Sequence, residues 1–331
     1  MAVLSPSWGG PSIFPRVYEH GLKVLQEWGL TIKEYQSTRA DADFLRKNPQ
    51  IRAQDINNAF ADKEVVAIIT SIGGNDSVRI LPFLDKKVIS ENPKILMGFS
   101  DTSTVHTFCN QLGLITLYGP SVMAGFSQME SLEPAFKEHV HAMLFEPTER
   151  YEYSPYQSYC DGYSNWMQEE NLGKVHQLKA SSGWRWISGG GVVRGELFGG
   201  CMEVFEMMKA TDFWPEKKFW KEKVFFLETS EEKPSLHQVD HALRNYGMLG
   251  VWDHVNAFIF GRARDYSDGE KKELEDLVTT VIVGEFGRTD MPIIANVDIG
   301  HTDPQFVLPL GGRVEIDCGD KKIALVEPWL L

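Results

Sequence analysis

The sequence predicts an α/β protein in two units, the first built on a parallel sheet. Three observations carry this expectation. Short apolar runs alternate with amphipathic stretches over residues 1–145, a polar and aromatic segment without sustained periodicity follows, and glycine clusters then open a second series of apolar runs. Alternating strands and helices imply a parallel sheet covered on both faces, with ligands bound outside the carboxyl ends of its strands. A chain of 331 residues exceeds a single-core domain. We therefore expect a first domain over 1–145, a linker and cleft-covering loop over 146–188, and a C-terminal domain over 189–331.

Ala2–Leu4 reads as a short strand, and Val17, Leu22, Leu25 and Trp28 recur at helical spacing with Gly29 as a stop. Val65–Thr70 is a β-branched run that ends in Ser71-Ile72-Gly73-Gly74-Asn75, followed by the helical pattern Val78, Leu81, Leu84. Ile95–Met97 leads into Gly98-Phe99-Ser100, with 101–111 as the helix behind it, and Ile115–Leu117 and 130–144 repeat the pattern. The stretch YEYSPYQSYCDGYSNWMQEEN, 151–171, has neither period. Beyond it Gly189-Gly190-Gly191 and Gly199-Gly200 punctuate a new unit, with strand-like runs at Val224–Leu227, Ala257–Phe260 and Ile293–Val297. Helical patterns over Leu236–Tyr246 and Lys271–Val283 are interleaved with them, and 313–316 with 322–326 around Cys318-Gly319-Asp320 read as a hairpin.

Composition excludes several classes. Hydrophobic residues make up 43% of the chain, enough for a sizeable core, so the protein is globular. A formal charge of −13 repels a phosphate backbone, so neither nucleic acid nor an anionic membrane is an expected partner. Cys109, Cys160, Cys201 and Cys318 lack CxxC spacing, which suggests reduced thiols in a cytoplasmic protein and no zinc site. Met1 to Trp8 lacks a signal-peptide pattern, and no apolar run approaches the length that spans a bilayer.

Chemistry concentrates at strand ends. Ser100 stands where a strand turns into a helix, the setting that projects a nucleophilic hydroxyl, although Thr102 occupies the second glycine position of G-x-S-x-G. A serine before an aspartate at a helix start also reads as a simple N-cap. Gly73-Gly74 could let the backbone approach a ligand and offer an N–H to an oxyanion together with the N–H of Asp101, or could be only a tight turn. Glu228 closes a buried apolar run, where an unpaired carboxylate is costly. His301 lies just past another, where an imidazole could stand between a carboxylate and a hydroxyl. Each also reads as a solvated strand-end residue. His139 and His141 fit a surface helix. His237 and His241 share a helix face, but no Glu follows His237 as in H-E-x-x-H, so no metal site is expected.

Taken in order, Ser5-Pro6-Ser7, Ser71-Ile72-Gly73-Gly74 with Arg79-Ile80-Leu81-Pro82 and Asp85, Gly98-Phe99-Ser100-Asp101, Gly195-Glu196-Leu197-Phe198-Gly199-Gly200, Leu227-Glu228 and Gly300-His301 resemble the LD-carboxypeptidase family of serine peptidases, in its microcin-immunity branch. The resemblance covers essentially the whole chain. It implies an N-terminal Rossmann-like domain joined to a smaller β-rich α/β C-terminal domain, often as a homodimer, with no cofactor. It also implies a triad of Ser100, Glu228 and His301, with an oxyanion hole from the N–H groups of Asp101 and of Gly73 or Gly74.

Two substrates compete within such a family. One branch removes a terminal D-amino acid from a murein tetrapeptide. The immunity branch hydrolyses the bond joining an amino acid, typically aspartate, to the nucleotide part of an aminoacyl-adenylate analogue. The aromatic insertion 151–166 and Gly183-Trp184-Arg185-Trp186 favour the second, with Trp184 or Trp186 implied as the platform for the base. Two positions depart from the pattern. Cys201 follows Gly199-Gly200 where an amide side chain is frequent, and Lys233 is the candidate cation facing a substrate carboxylate. A rival of another class is a non-catalytic protein that closes on a small ligand, in which Ser100 only caps a helix.

Overall fold

The computed structural model describes residues 1–330. The first unit is a sheet of β1 (Ala2–Leu4), β2 (Lys33–Glu34), β3 (Ala67–Thr70), β4 (Ile95–Gly98) and β5 (Thr116–Tyr118), parallel throughout in the order β5-β4-β3-β1-β2. Every residue of β1, β3 and β5 is buried, as the near-continuous apolar runs require of a sheet covered on both faces. Helices Pro15–Glu27, Pro49–Ala61, Ser103–Gln111 and Pro134–Phe145 supply the cover. Val78 and Leu81 fall on a 3₁₀ segment, Ser77–Phe83, with Leu84 extended just past it, because Pro82 cannot join an α-helical ladder.

Past residue 145 the chain forms β6 (Tyr151–Tyr153), a small ribbon of β7 (Ser158–Tyr159) and β8 (Lys179–Ala180), and then β9 (Arg185–Ser188), β10 (Val192–Cys201), β11 (Lys223–Glu228), β12 (Ala257–Gly261) and β13 (Ile293–Val297). It ends with β14 (Leu308–Leu310), β15 (Arg313–Asp317) and β16 (Lys322–Leu325). An eight-stranded sheet runs β6-β16-β15-β10-β11-β12-β13-β9. Its centre, β10 to β13, is parallel and its flanks are antiparallel, including the β15–β16 hairpin. β6 and β9, which lie in the segment read as a linker, are its two edges. β14 leaves this sheet altogether and pairs antiparallel with β5 of the first, a crossing that local sequence pattern does not reveal.

The two sheets share their cores. One apolar cluster joins Val3, Met97 and Tyr118 to Phe226, Ile259 and Val297, and the other joins Phe60, Val105 and Phe108 to Phe198, Met202 and Phe225. No helix is long and apolar enough to cross a membrane among the described residues.

His139 does not lie on a surface. It is buried, with Nδ1 2.7 Å from Tyr151 Oη, and its Nε2 accepts the Val307 N–H at 2.8 Å. Burial lowers its pKa to about 3, so it is a neutral strut between the helix 134–145, β6 and the approach to β14. Replacing it by Ala strands the buried Val307 N–H and opens a void. His139→Ala is expected to lower the unfolding free energy by about 2–4 kcal/mol, read from the urea midpoint.

Candidate active site

Ser100 follows β4 with φ +59°, a left-handed conformation that a serine adopts only when its surroundings impose it. Those surroundings are specific. The Ser100 N–H donates to Tyr118 Oη at 3.2 Å, the Ser103 hydroxyl donates to the Ser100 carbonyl at 2.6 Å, and His106 Nε2–H donates to the Gly98 carbonyl at 2.8 Å. Burial lowers the His106 pKa to about 4, which keeps it neutral in this role. The bend leaves Ser100 Oγ capping no helix, and its partner is His301 Nε2 at 3.0 Å.

Glu228 is the last residue of β11 and is fully buried. Its Oε1 accepts the Tyr118 hydroxyl at 2.6 Å and its Oε2 accepts His301 Nδ1–H at 2.7 Å, so both oxygens are satisfied. Gly300, before the histidine, has φ +93°, and a Cβ there would overlap the Glu228 carboxylate. Glycine is therefore needed for the chain to pass close enough to place the imidazole. Arg262, at the end of β12, meets Asp298 at 2.6 Å with both side chains buried, and Trp184 Nε1–H donates to the same carboxylate at 2.8 Å. This pairing fixes the start of the loop that carries His301. Burial disfavours a charged imidazole, but Glu228, by charge and hydrogen bond, and Glu231 outweigh it and push the His301 pKa up to about 9.

Gly73 faces the hydroxyl: a Cβ there would lie 2.9 Å from Ser100 Oγ and 3.4 Å from the Asp101 nitrogen. The Gly73 and Gly74 N–H groups have no partner within the protein among the described residues. The Asp101 side chain has a task of its own. Fully buried, its Oδ2 accepts the N–H groups of Asp76 at 3.0 Å and Ser77 at 2.8 Å, which clamps the turn after Gly73-Gly74 against the Ser100 bend.

A cleft of about 540 Å³ opens over these groups. Its walls include Gly73, Gly74, Ser100 and His301, the aromatic residues Trp8, Phe14, Tyr163 and Trp166, and the charged residues Glu231, Glu232 and Arg264. Trp166 stacks on Tyr163 with centroids 5.5 Å apart and meets Phe14 edge-on at 5.4 Å. The other residues singled out from the sequence lie elsewhere. Trp184 is spent on Asp298 and packs on Phe306, and Trp186 lies on β9 beside Ile294. Cys201 is buried with its N–H donating to Ser103 Oγ at 3.0 Å. Lys233 turns to Glu270 at 2.9 Å. None of these four lines the cleft. His237, Asp240 and His241 approach one another on a partly exposed helix face, with Asp240 bonded to Arg244, and they too stand outside it. Tyr118, Trp166, Glu231 and Arg264 escaped the sequence reading. Only Trp166 left a signal, as part of the aromatic insertion.

A hydroxyl on a strained strand-to-helix bend, faced by an imidazole at the seam of two α/β sheets, is the architecture of a serine-peptidase-type hydrolase. The chain belongs to the LD-carboxypeptidase family: residues 1–119 match the LD-carboxypeptidase N-terminal domain and residues 194–316 the LD-carboxypeptidase C-terminal domain. It is 27% identical over 314 residues to the microcin C7 self-immunity protein MccF of Escherichia coli, covering 94% of this chain and 88% of that one. The structure of MccF in complex with aspartyl sulfamoyl adenosine superposes with a TM-score of 0.84 at 25% identity, over all of this chain and 96% of that one. An MccF-like protein from Streptococcus pneumoniae in complex with AMP shares the fold, with a TM-score of 0.86 at 23% identity over 98% and 97% of the two chains.

Tyr118 links the bend to the carboxylate, so its hydroxyl can be tested alone. Tyr118→Phe is expected to fold and to slow labelling of Ser100 by a fluorophosphonate probe by roughly 10- to 100-fold, since a hydrogen bond to a charged group is worth about 1.5–3 kcal/mol. Unchanged labelling would mean that the link is without consequence at Ser100.

Proposed function

We propose that the chain is a hydrolase of aminoacyl-nucleotide analogues, acting by acyl transfer through Ser100, His301 and Glu228. The observation that carries the chemistry is the unbroken line from Ser100 Oγ to His301 Nε2 at 3.0 Å and from His301 Nδ1 to Glu228 at 2.7 Å. His301 takes the hydroxyl proton as Ser100 Oγ bonds to the acyl carbon, and Glu228 holds the imidazole in the tautomer that accepts at Nε2. The free N–H of Gly73, with that of Asp101, faces the oxygen that becomes negative. Loss of the leaving amine, which takes the His301 proton, gives the acyl-enzyme, and water delivered by the same imidazole releases the acid.

The aromatic wall supports a nucleotide leaving group. Trp166, stacked on Tyr163 and braced by Phe14, offers a flat face to a base, a contact worth about 1–3 kcal/mol per base. In this reading it takes the place first given to Trp184 or Trp186, and Arg264 supplies a cation for a phosphoryl or sulfamoyl oxygen. The runner-up is a murein tetrapeptide, which has no base to stack.

Offering alanyl sulfamoyl adenosine and a murein tetrapeptide side by side separates the two. Release of alanine from the first, lost by roughly 10⁶-fold in Ser100→Ala, is the expected result. Cleavage of the peptide alone would overturn the nucleotide reading. The raised pKa of His301 sets the pH dependence. The groups that face this imidazole are Glu228, Glu231, Ser100, Arg264 and, on its own segment, Asp303. Only the neutral form can accept the proton, and with a pKa of about 9 it is the minor form at neutral pH. kcat/KM is therefore expected to rise about tenfold per pH unit from neutrality and to level off near that value.

A further inference from the structure

The segment after Glu228 gives the cleft an acidic lip. Glu231 and Glu232 line the cleft, while Lys233, next in the chain, is held away by Glu270. This placement is built. Glu203 accepts the N–H of Ser230 at 2.9 Å and its hydroxyl at 2.6 Å, and the Tyr266 hydroxyl donates to the Pro234 carbonyl. The segment is thus pinned on both sides of Glu231, so the backbone that carries this carboxylate is held beside the cleft.

Glu231 Oε2 lies 3.2 Å from His301 Nε2, the same nitrogen that Ser100 Oγ reaches at 3.0 Å. One ring nitrogen cannot serve both. Towards Ser100 it must be bare, to accept a proton; towards a carboxylate it is stable only when it carries one. With Glu231 in place, the unliganded site favours the imidazolium, which is the form that cannot act as base. The Glu231 side chain is 57% exposed, so a ligand entering the cleft can reach it. Glu232 has no ion-pair partner among the described residues, and two carboxylates against the one guanidinium of Arg264 leave the wall an acidic excess.

This inference rests on the acyl-transfer reading above and deepens it. We propose that Glu231 is the specificity-determining residue of the site, and that it selects substrates whose acyl part carries a cationic group, an ammonium or a guanidinium. Binding of that cation takes the carboxylate from His301. The Nε2 proton then passes to water, and the bare nitrogen accepts the Ser100 proton as Oγ bonds to the acyl carbon. An aspartyl group offsets its own α-ammonium with a side-chain carboxylate and adds negative charge to a lip that already holds Glu231 and Glu232, so it draws Glu231 from the imidazolium less.

The test measures recognition apart from turnover. Lysyl, alanyl and aspartyl sulfamoyl adenosine are titrated calorimetrically into Ser100→Ala and into Ser100→Ala with Glu231→Gln. The lysyl compound is expected to bind at least about tenfold more tightly than the aspartyl one, and Glu231→Gln is expected to erase the difference. N-acetylated lysyl and alanyl compounds then identify the source: weaker alanyl binding marks the α-ammonium, and a retained lysyl preference marks the side chain. Aspartyl binding as tight as lysyl, or a preference that survives Glu231→Gln, overturns the proposal. In otherwise wild-type protein Glu231→Gln should also move the midpoint of the kcat/KM profile to lower pH, a shift that a merely structural role would not produce. The two readings fail differently. Wild-type protein that cleaves none of the compounds while Glu231-dependent binding persists would strike down the hydrolysis. Cleavage indifferent to Glu231 would strike down only the selection.

Discussion

Glu228 is the constraint on which the rest of the structure depends. A carboxylate with no exposed surface at the end of a buried strand costs several kcal/mol unless both oxygens are met by donors. The two donors come from different sheets, Tyr118 from the first and His301 from the loop after β13 in the second. Docking of the two sheets and assembly of the hydroxyl–imidazole–carboxylate line are therefore one event. The shared apolar clusters stabilise the contact in bulk, and Glu228 fixes its register.

Around this carboxylate the chain accepts local cost. Ser100 in a left-handed conformation and the close passage of Gly300 over Glu228 are both unfavourable or sequence-restricted. They persist because Tyr118, Ser103 and His106 hold the bend from three sides, while Arg262 with Asp298 holds the loop that leads to His301. The arrangement keeps hydroxyl, imidazole and carboxylate at or just past the ends of buried strands. Trp166 and Glu231, on the wall of the cleft, sit instead on connecting segments.

Local pattern carried the parallel strands, because β3, β4, β11, β12 and β13 are short buried runs that need no distant partner to be recognised. It also carried Ser100, Glu228 and His301 as strand-end polar residues, and the resemblance ordered them into a line. It could not carry β14, whose three residues become a strand only by joining β5. Tyr118 was invisible for a similar reason. A tyrosine at the end of an apolar strand looks like core, and only the second sheet supplies the carboxylate for its hydroxyl. Trp184 stands outside the cleft because a tryptophan's indole N–H seeks a buried acceptor as readily as its ring seeks a base, and Asp298 meets the first need, while Trp186 is held on β9 beside β13. Lys233 stands outside the cleft because its charge has a nearby partner in Glu270.

β14 has a consequence for biosynthesis. The backbone carrying His301 is tied to one sheet through β13 and to the other through β14, so the loop is anchored at both ends. During translation the first sheet therefore waits for its last strand, which emerges after the entire second series of central strands. Until then β5 presents an open edge on the nascent chain, where unwanted pairing with other chains can begin.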